Sequence, residues 1–135
     1  MSPLALLRAF VRHLVLASLL MAGTVAHALE IKPYSSSELS SAQQAGKPVV
    51  VIFHADWCPT CKIQQQTLES LKKEDGLDLT VLVANYDTEK ELRRVHKVRS
   101  QSTLVAFRGN KETGRIVGET SADKIRALLK TALGS

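Results

Sequence analysis

The chain has 135 residues and a formal net charge of +5, from 18 Lys and Arg against 13 Asp and Glu. That length fits one domain, and so small a basic excess describes a solvated surface rather than a nucleic-acid footprint. The basic stretches "LRRVHKVR" (92–99) and "FRGNK" (107–111) are too short to act as charged tails. Residues 1–13 carry Arg8 and Arg12 and no acid. They are followed by the uncharged "LVLASLLMAGTVA" (14–26) and by "AHA" ending at Ala28. A positive start, a short apolar run and an A-x-A site predict a secretory signal peptide, residues 1–28, cut after Ala28. The apolar run is shorter than the roughly 20 residues a spanning helix needs. Residues 29–135 are then the single mature domain, expected in the periplasm or an equivalent exported, oxidising compartment.

In the mature part, "SSSELSSAQQAGKP" (35–48) predicts a cap and a short helix stopped by Gly46 and Pro48. "VVVIFHA" (49–55) is a continuous β-branched run, suited to a strand covered on both faces. "CKIQQQTLESLKK" (61–73) predicts a helix packed through Ile63, Leu68 and Leu71. "LDLTVLVANYD" (77–87) predicts a second buried strand, and "TEKELRRVHKV" (88–98) a short helix packed through Leu92 and Val95, with His96 as a solvated residue. "TLVAFR" (103–108), a turn at 109–114 and "RIVGE" (115–119) predict a hairpin. "SADKIRALLKTAL" (121–133) predicts a capped amphipathic helix with Ile125, Leu128, Leu129 and Ala132 on its apolar face. The order α-β-α-β-α-β-β-α implies an α/β fold: a mixed sheet of about four strands with helices on both faces.

The only two cysteines, Cys58 and Cys61, lie in "HADWCPTCK" (54–62), where the strand feeds the helix. A thiolate at a helix N-terminus meets unpaired N–H groups and the positive end of the macrodipole, which lowers its pKa. Pro59 suits the first helical position. Cys61 lies one turn inside, within reach of Cys58 for a small disulfide, and should be the less exposed thiol. Cys58 is therefore the expected nucleophile and Cys61 the resolving thiol. Trp57 is expected to flank the exposed sulfur as a docking surface. A purely structural bridge of this spacing would constrain little chain, and two cysteines fall short of the four ligands of a structural zinc site.

From about residue 38 to 133 the chain resembles thioredoxin-fold proteins. The likeness is carried by "ADWCPTCK", similar to the signature W-C-x-x-C-K, by its strand–motif–helix setting, and by "TLVAFRGNKETGRIVGETSADKIRALL" (103–129). The resemblance implies a thioredoxin fold and thiol–disulfide exchange through a Cys58–Cys61 redox disulfide, with no other cofactor and no metal. It implies protein thiols and disulfides as partners, contacts to substrate from Trp57, Pro59, Ser102 and Thr103, and a monomer. The "ADWC…CK" wording is also similar to periplasmic domains served by membrane electron carriers of the CcdA/DsbD kind, which points to a reductant.

Three departures stand out. The family's buried acid on the strand before the motif aligns with Ile52, and its lysine partner with Val83. The family's cis-proline aligns with Ser102. Losing acid and lysine together avoids an unpaired buried charge, and leaves water, His54 or Asp56 to take the proton of Cys61. A cis bond costs about 2.5–4 kcal/mol before any residue but proline, so the Gln101–Ser102 peptide is expected trans. Ser102 should bring a hydroxyl and a backbone donor to the face of the motif. An alternative function is a copper carrier that holds the metal on Cys58, Cys61 and a histidine, since soft thiolates favour Cu(I).

Overall fold

The computed structural model describes residues 28–134. The predicted signal peptide, apart from Ala28, lies outside the described residues. In chain order the elements are β1 (Glu30–Pro33), α1 (Ser36–Gln44), β2 (Pro48–His54), α2 (Pro59–Leu71), β3 (Thr80–Asn85), α3 (Lys90–Val95), β4 (Thr103–Arg108), β5 (Lys111–Val117) and α4 (Ala122–Leu133). They form a five-stranded mixed sheet in the order β1-β3-β2-β4-β5, with β1, β3 and β2 parallel and β4 and β5 antiparallel. The predicted α/β architecture holds, with one strand added. Strand β1 was not expected: "EIKP" is four residues long, ends in proline and pairs on one side only, so it lacks the apolar run that announced β2 and β3.

Strand β2 lies at the centre, and its two faces feed two cores. Val50 and Ile52 pack with Leu68 and Leu71 of α2 and Ile125, Leu128 and Leu129 of α4. Val49, Val51 and Phe53 pack with Leu39 of α1 and Leu92 of α3. Burial on both faces explains the unbroken apolar run.

Three local expectations change. Helix α2 buries Cys61, Gln64, Leu68 and Leu71, the stripe that helical spacing gives once Cys61 faces inward, and this turns Ile63 out to solvent. Val95 is exposed because α3 ends there. Lys97 then turns the chain at φ 55°, and Val98 fills the core instead. His96 is half-buried rather than solvated. Its ring meets Phe107 edge-on at 5.1 Å, and burial pushes its pKa down.

The hairpin is tighter than "GNKETG" suggested. Only Gly109 and Asn110 separate the strands, and a register shift between Ala106 and Phe107 leaves Thr113 as the extra, bulged residue. At Gly114 a Cβ would stand 2.8 Å from Leu128 Cδ1, so this glycine lets α4 lie close on β5.

Candidate active site

The site forms where β2 ends and α2 begins. Cys58 is the N-cap of α2, with extended backbone (φ −94°, ψ 112°), and its Sγ accepts a hydrogen bond from the Cys61 N–H at 3.2 Å. Pro59 follows at the first helical position, exposed. A sulfur here does what a serine or aspartate cap does elsewhere: it takes up an orphan N–H, and gains most when anionic. Cys58, Cys61 and Ala55 form a small cluster with Tyr86 packed against it. Both cysteines are free thiols.

Cys58 was expected to be exposed, and it is not. Its relative exposure is 2%, against none for Cys61. The two thiols are tuned in opposite directions. Burial works to raise the Cys58 pKa, but it is outweighed by hydrogen bonds from the Cys61 thiol, the Ser102 hydroxyl and the N–H groups of Cys61 and Thr60, so the net shift is downward. For Cys61, burial and the hydrogen bond with Cys58 prevail, and its thiol is held above the ordinary range. The surroundings favour the thiolate at Cys58 over the thiolate at Cys61.

Trp57 is 60% exposed and held in place by its Nε1–H, which donates to Asp87 Oδ2 at 2.9 Å. The Asp87 turn is itself fixed, because Asn85 Oδ1 accepts the N–H groups of Asp87 and Thr88. An open, oriented apolar plate thus stands next to Cys58 in the chain.

Ser102 lies beneath this surface rather than on it. It is 4% exposed, and its Oγ stands 3.1 Å from Cys58 Sγ and 3.1 Å from Cys61 Sγ. No peptide among the described residues is cis, so the Gln101–Ser102 bond is trans. The residue adopts φ 60°, in the left-handed region. Its N–H donates to Phe53 O at 2.9 Å, so the backbone donor expected to face the motif is spent inside the sheet. Its carbonyl accepts from the Gly118 N–H and from Gln64 Nε2. Thr103 is also buried, with its hydroxyl donating to Ser100 O. The side chains of Ser102 and Thr103 both turn inward at the start of β4.

Ile52 packs among Leu68, Leu104 and Ile125, and its partner across the sheet is Val83. His54 and Asp56 pair with each other, Nε2 to Oδ1 at 3.3 Å, with Asp56 in solvent. Neither has a hydrogen bond to a sulfur among those of the described residues. The group that touches both sulfurs is Ser102.

Gln64 was missed at the level of sequence. It is fully buried, and its Nε2 donates to Ser102 O at 3.0 Å and to Glu119 O at 2.8 Å, tying α2 to both ends of the hairpin. The signal was its place three residues after Cys61 on the same stripe. Gln64→Leu strips both carbonyls of this donor and is expected to cost about 1–3 kcal/mol, read by urea unfolding of the reduced protein. A loss below 0.5 kcal/mol, roughly the scatter of surface substitutions, would mean that the clamp contributes nothing.

Comparison with known proteins agrees with this geometry. The sequence model of the Thioredoxin family matches residues 31–131. A thioredoxin of Mycobacterium bovis is 38% identical over 88 residues, covering 65% of this chain and 76% of its own. The crystal structure of Trxlp from Edwardsiella tarda superposes with a TM-score of 0.69 at 38% identity, covering 74% of this chain and 98% of that one. Thioredoxin of Schistosoma mansoni gives a TM-score of 0.61 at 26% identity, covering 78% and 95%. With the C-x-x-C pair at the head of α2 on this five-stranded sheet, the chain belongs to the thioredoxin family and is a thiol–disulfide oxidoreductase.

Proposed function

We propose that the protein is an exported, monomeric reductant of protein disulfides, resupplied with electrons by a membrane carrier of the CcdA/DsbD kind. The observation that carries the exchange chemistry is the split between the thiols, Cys58 tuned toward the anion and Cys61 holding its proton, beside the open face of Trp57. Cys58 attacks a substrate disulfide, a mixed disulfide forms, and Cys61 releases the reduced substrate while closing the Cys58–Cys61 bond. Export rests on the pattern of residues 1–28. It is compatible with Leu29, the first residue after the expected cut, being packed in the core, so that a chain starting there keeps every strand. In an oxidising compartment a reductant needs a donor, and the "ADWC" wording is the support for a membrane carrier.

The deciding measurement is the reduction potential of Cys58–Cys61 against glutathione. A reductant is expected well below about −200 mV, while a value near about −120 mV, that of a strong oxidant, would reverse the direction of flow. The copper-carrier reading has less support. Among the described residues no group of three or more His, Cys, Asp and Glu is placed to hold a metal. Tight Cu(I) uptake by the reduced protein with no insulin reduction would favour it nonetheless.

A further inference from the structure

The family's usual proton acceptor is replaced by Ile52, yet Cys61 must still give up its proton before it can resolve a mixed disulfide. We propose that the Ser102 hydroxyl is a rotor shared by the two sulfurs, donating to the Cys58 thiolate in the reduced protein and turning to Cys61 Sγ once Cys58 is tied up in a mixed disulfide. This inference rests on the reading that Cys58 attacks and Cys61 resolves.

The geometry suits a rotor. The two Oγ–Sγ distances are both 3.1 Å, so the hydroxyl reaches either sulfur without moving its oxygen. A hydroxyl has one proton, free to rotate, and two lone pairs. It can therefore donate to whichever sulfur is anionic and accept from the one that is a thiol. The backbone that carries this hydroxyl is pinned, because the Ser102 N–H and carbonyl are held by Phe53 O, the Gly118 N–H and Gln64 Nε2. A neutral donor also suits a buried position, because both sulfurs and Ser102 are almost wholly shielded from water and an unpaired carboxylate there would be stranded.

The steps balance. Cys58 thiolate attacks one sulfur of the substrate disulfide, the Cys58–substrate bond forms, and the electron pair of the broken bond leaves on the other substrate sulfur. That departing thiolate takes up the Cys61 proton, directly or through water. The hydroxyl, no longer drawn to a Cys58 sulfur that has lost its charge, turns to the new Cys61 thiolate. Cys61 then attacks Cys58 Sγ, the internal disulfide forms, and the second substrate thiolate leaves and is protonated by water. Among the described residues no other ionisable side chain besides the two cysteines themselves hydrogen-bonds either sulfur, and the buried His54 Nδ1 has no hydrogen-bond partner. The Tyr86 hydroxyl donates to Arg99 O, His54 pairs with Asp56, Glu119 holds Lys124 and two backbone N–H groups, and Lys62 is exposed.

The test uses single-cysteine proteins titrated by thiolate absorbance. Cys61→Ala leaves Cys58 alone. Cys58→Ala leaves Cys61 beside an uncharged position, as in the mixed disulfide. Ser102→Gly is then added to each, since glycine accepts φ 60° and keeps the backbone bonds. Ser102→Ala repeats the measurement with the Cβ retained. A rotor predicts that losing the hydroxyl lowers the thiolate fraction at neutral pH about tenfold or more in both backgrounds, the size of a charge-assisted hydrogen bond. A shift confined to the protein that keeps Cys58 would make Ser102 a fixed donor and overturn the proposal. So would a shift confined to the protein that keeps Cys61, or no shift in either. Reaction of the two single-cysteine proteins with Ellman's reagent tests the underlying reading separately: faster reaction of Cys61 would reverse the thiol roles whatever the hydroxyl does.

Discussion

Cys58→Ser is expected to reduce disulfide exchange to the uncatalysed background, whereas Cys61→Ser should still attack and then stop as a mixed disulfide. The asymmetry follows from the helix head. Only Cys58 combines the cap position, the Cys61 N–H at 3.2 Å and a lowered pKa, while Cys61 is fully buried with its proton held by burial. Thiolate, not thiol, is the nucleophile. Alkylation of the reduced wild type with iodoacetamide should therefore label Cys58 first, its rate climbing with pH to a half-maximum below the ordinary cysteine value of about 8.5. Cys61→Ser incubated with a protein disulfide should accumulate one trapped partner per molecule, seen as a band that thiol reductant removes. Faster labelling of Cys61, or trapping by Cys58→Ser instead, would mean that the helix head does not set the roles.

Ile52→Asp should be the most damaging single change near the site, even though it restores a family residue. Ile52 is 1% exposed and surrounded by leucine and isoleucine side chains. A carboxylate there has no partner, and stranding a charge in this way costs about 3–5 kcal/mol. Burial would raise the folded-state pKa of the new acid above its unfolded value of about 3.9. The folded state then binds the extra proton more tightly, so the penalty is smallest below about pH 4 and grows as the pH rises through the folded pKa. Val83 is the residue directly across the sheet, half-buried, so Val83→Lys could bring a cation alongside with its tip toward solvent. Urea unfolding of both single variants and the double should show a favourable coupling, the double being more stable than the two losses added. Wild-type stability in Ile52→Asp alone would show that water reaches position 52.

Much of this was readable in the sequence because the signals were local and redundant. The unbroken "VVVIFH" run specified a strand covered on both sides, and the Trp57-to-Lys62 motif named its own position between strand and helix. What was not readable depends on depth and on partners far away in the chain. Ile63 looked like core until Cys61 set the phase of α2. Gln64 is one of three consecutive glutamines with nothing local to single it out, and its carbonyl partners lie 38 and 55 residues on. Ser102 was correctly placed against the motif, but its depth was not: a hydroxyl beside two sulfurs reads the same in sequence whether it faces substrate or lies beneath it. Strand β1 was lost because four residues at a sheet edge carry no periodicity.

The left-handed backbone at Ser102 has a consequence for the route by which this branch of the family can change. Proline is locked near φ −65° and has no N–H. At position 102 the chain stands at φ 60° and gives its N–H to Phe53 O. A single codon change to proline would thus demand a different backbone basin and delete a hydrogen bond to the central strand at the same moment. Glycine and asparagine are the conformationally easy neighbours, and neither carries a hydroxyl. The position is therefore isolated in substitution space: the loop and its serine can be replaced as a unit, but no one-residue step leads from this site to the family's usual one.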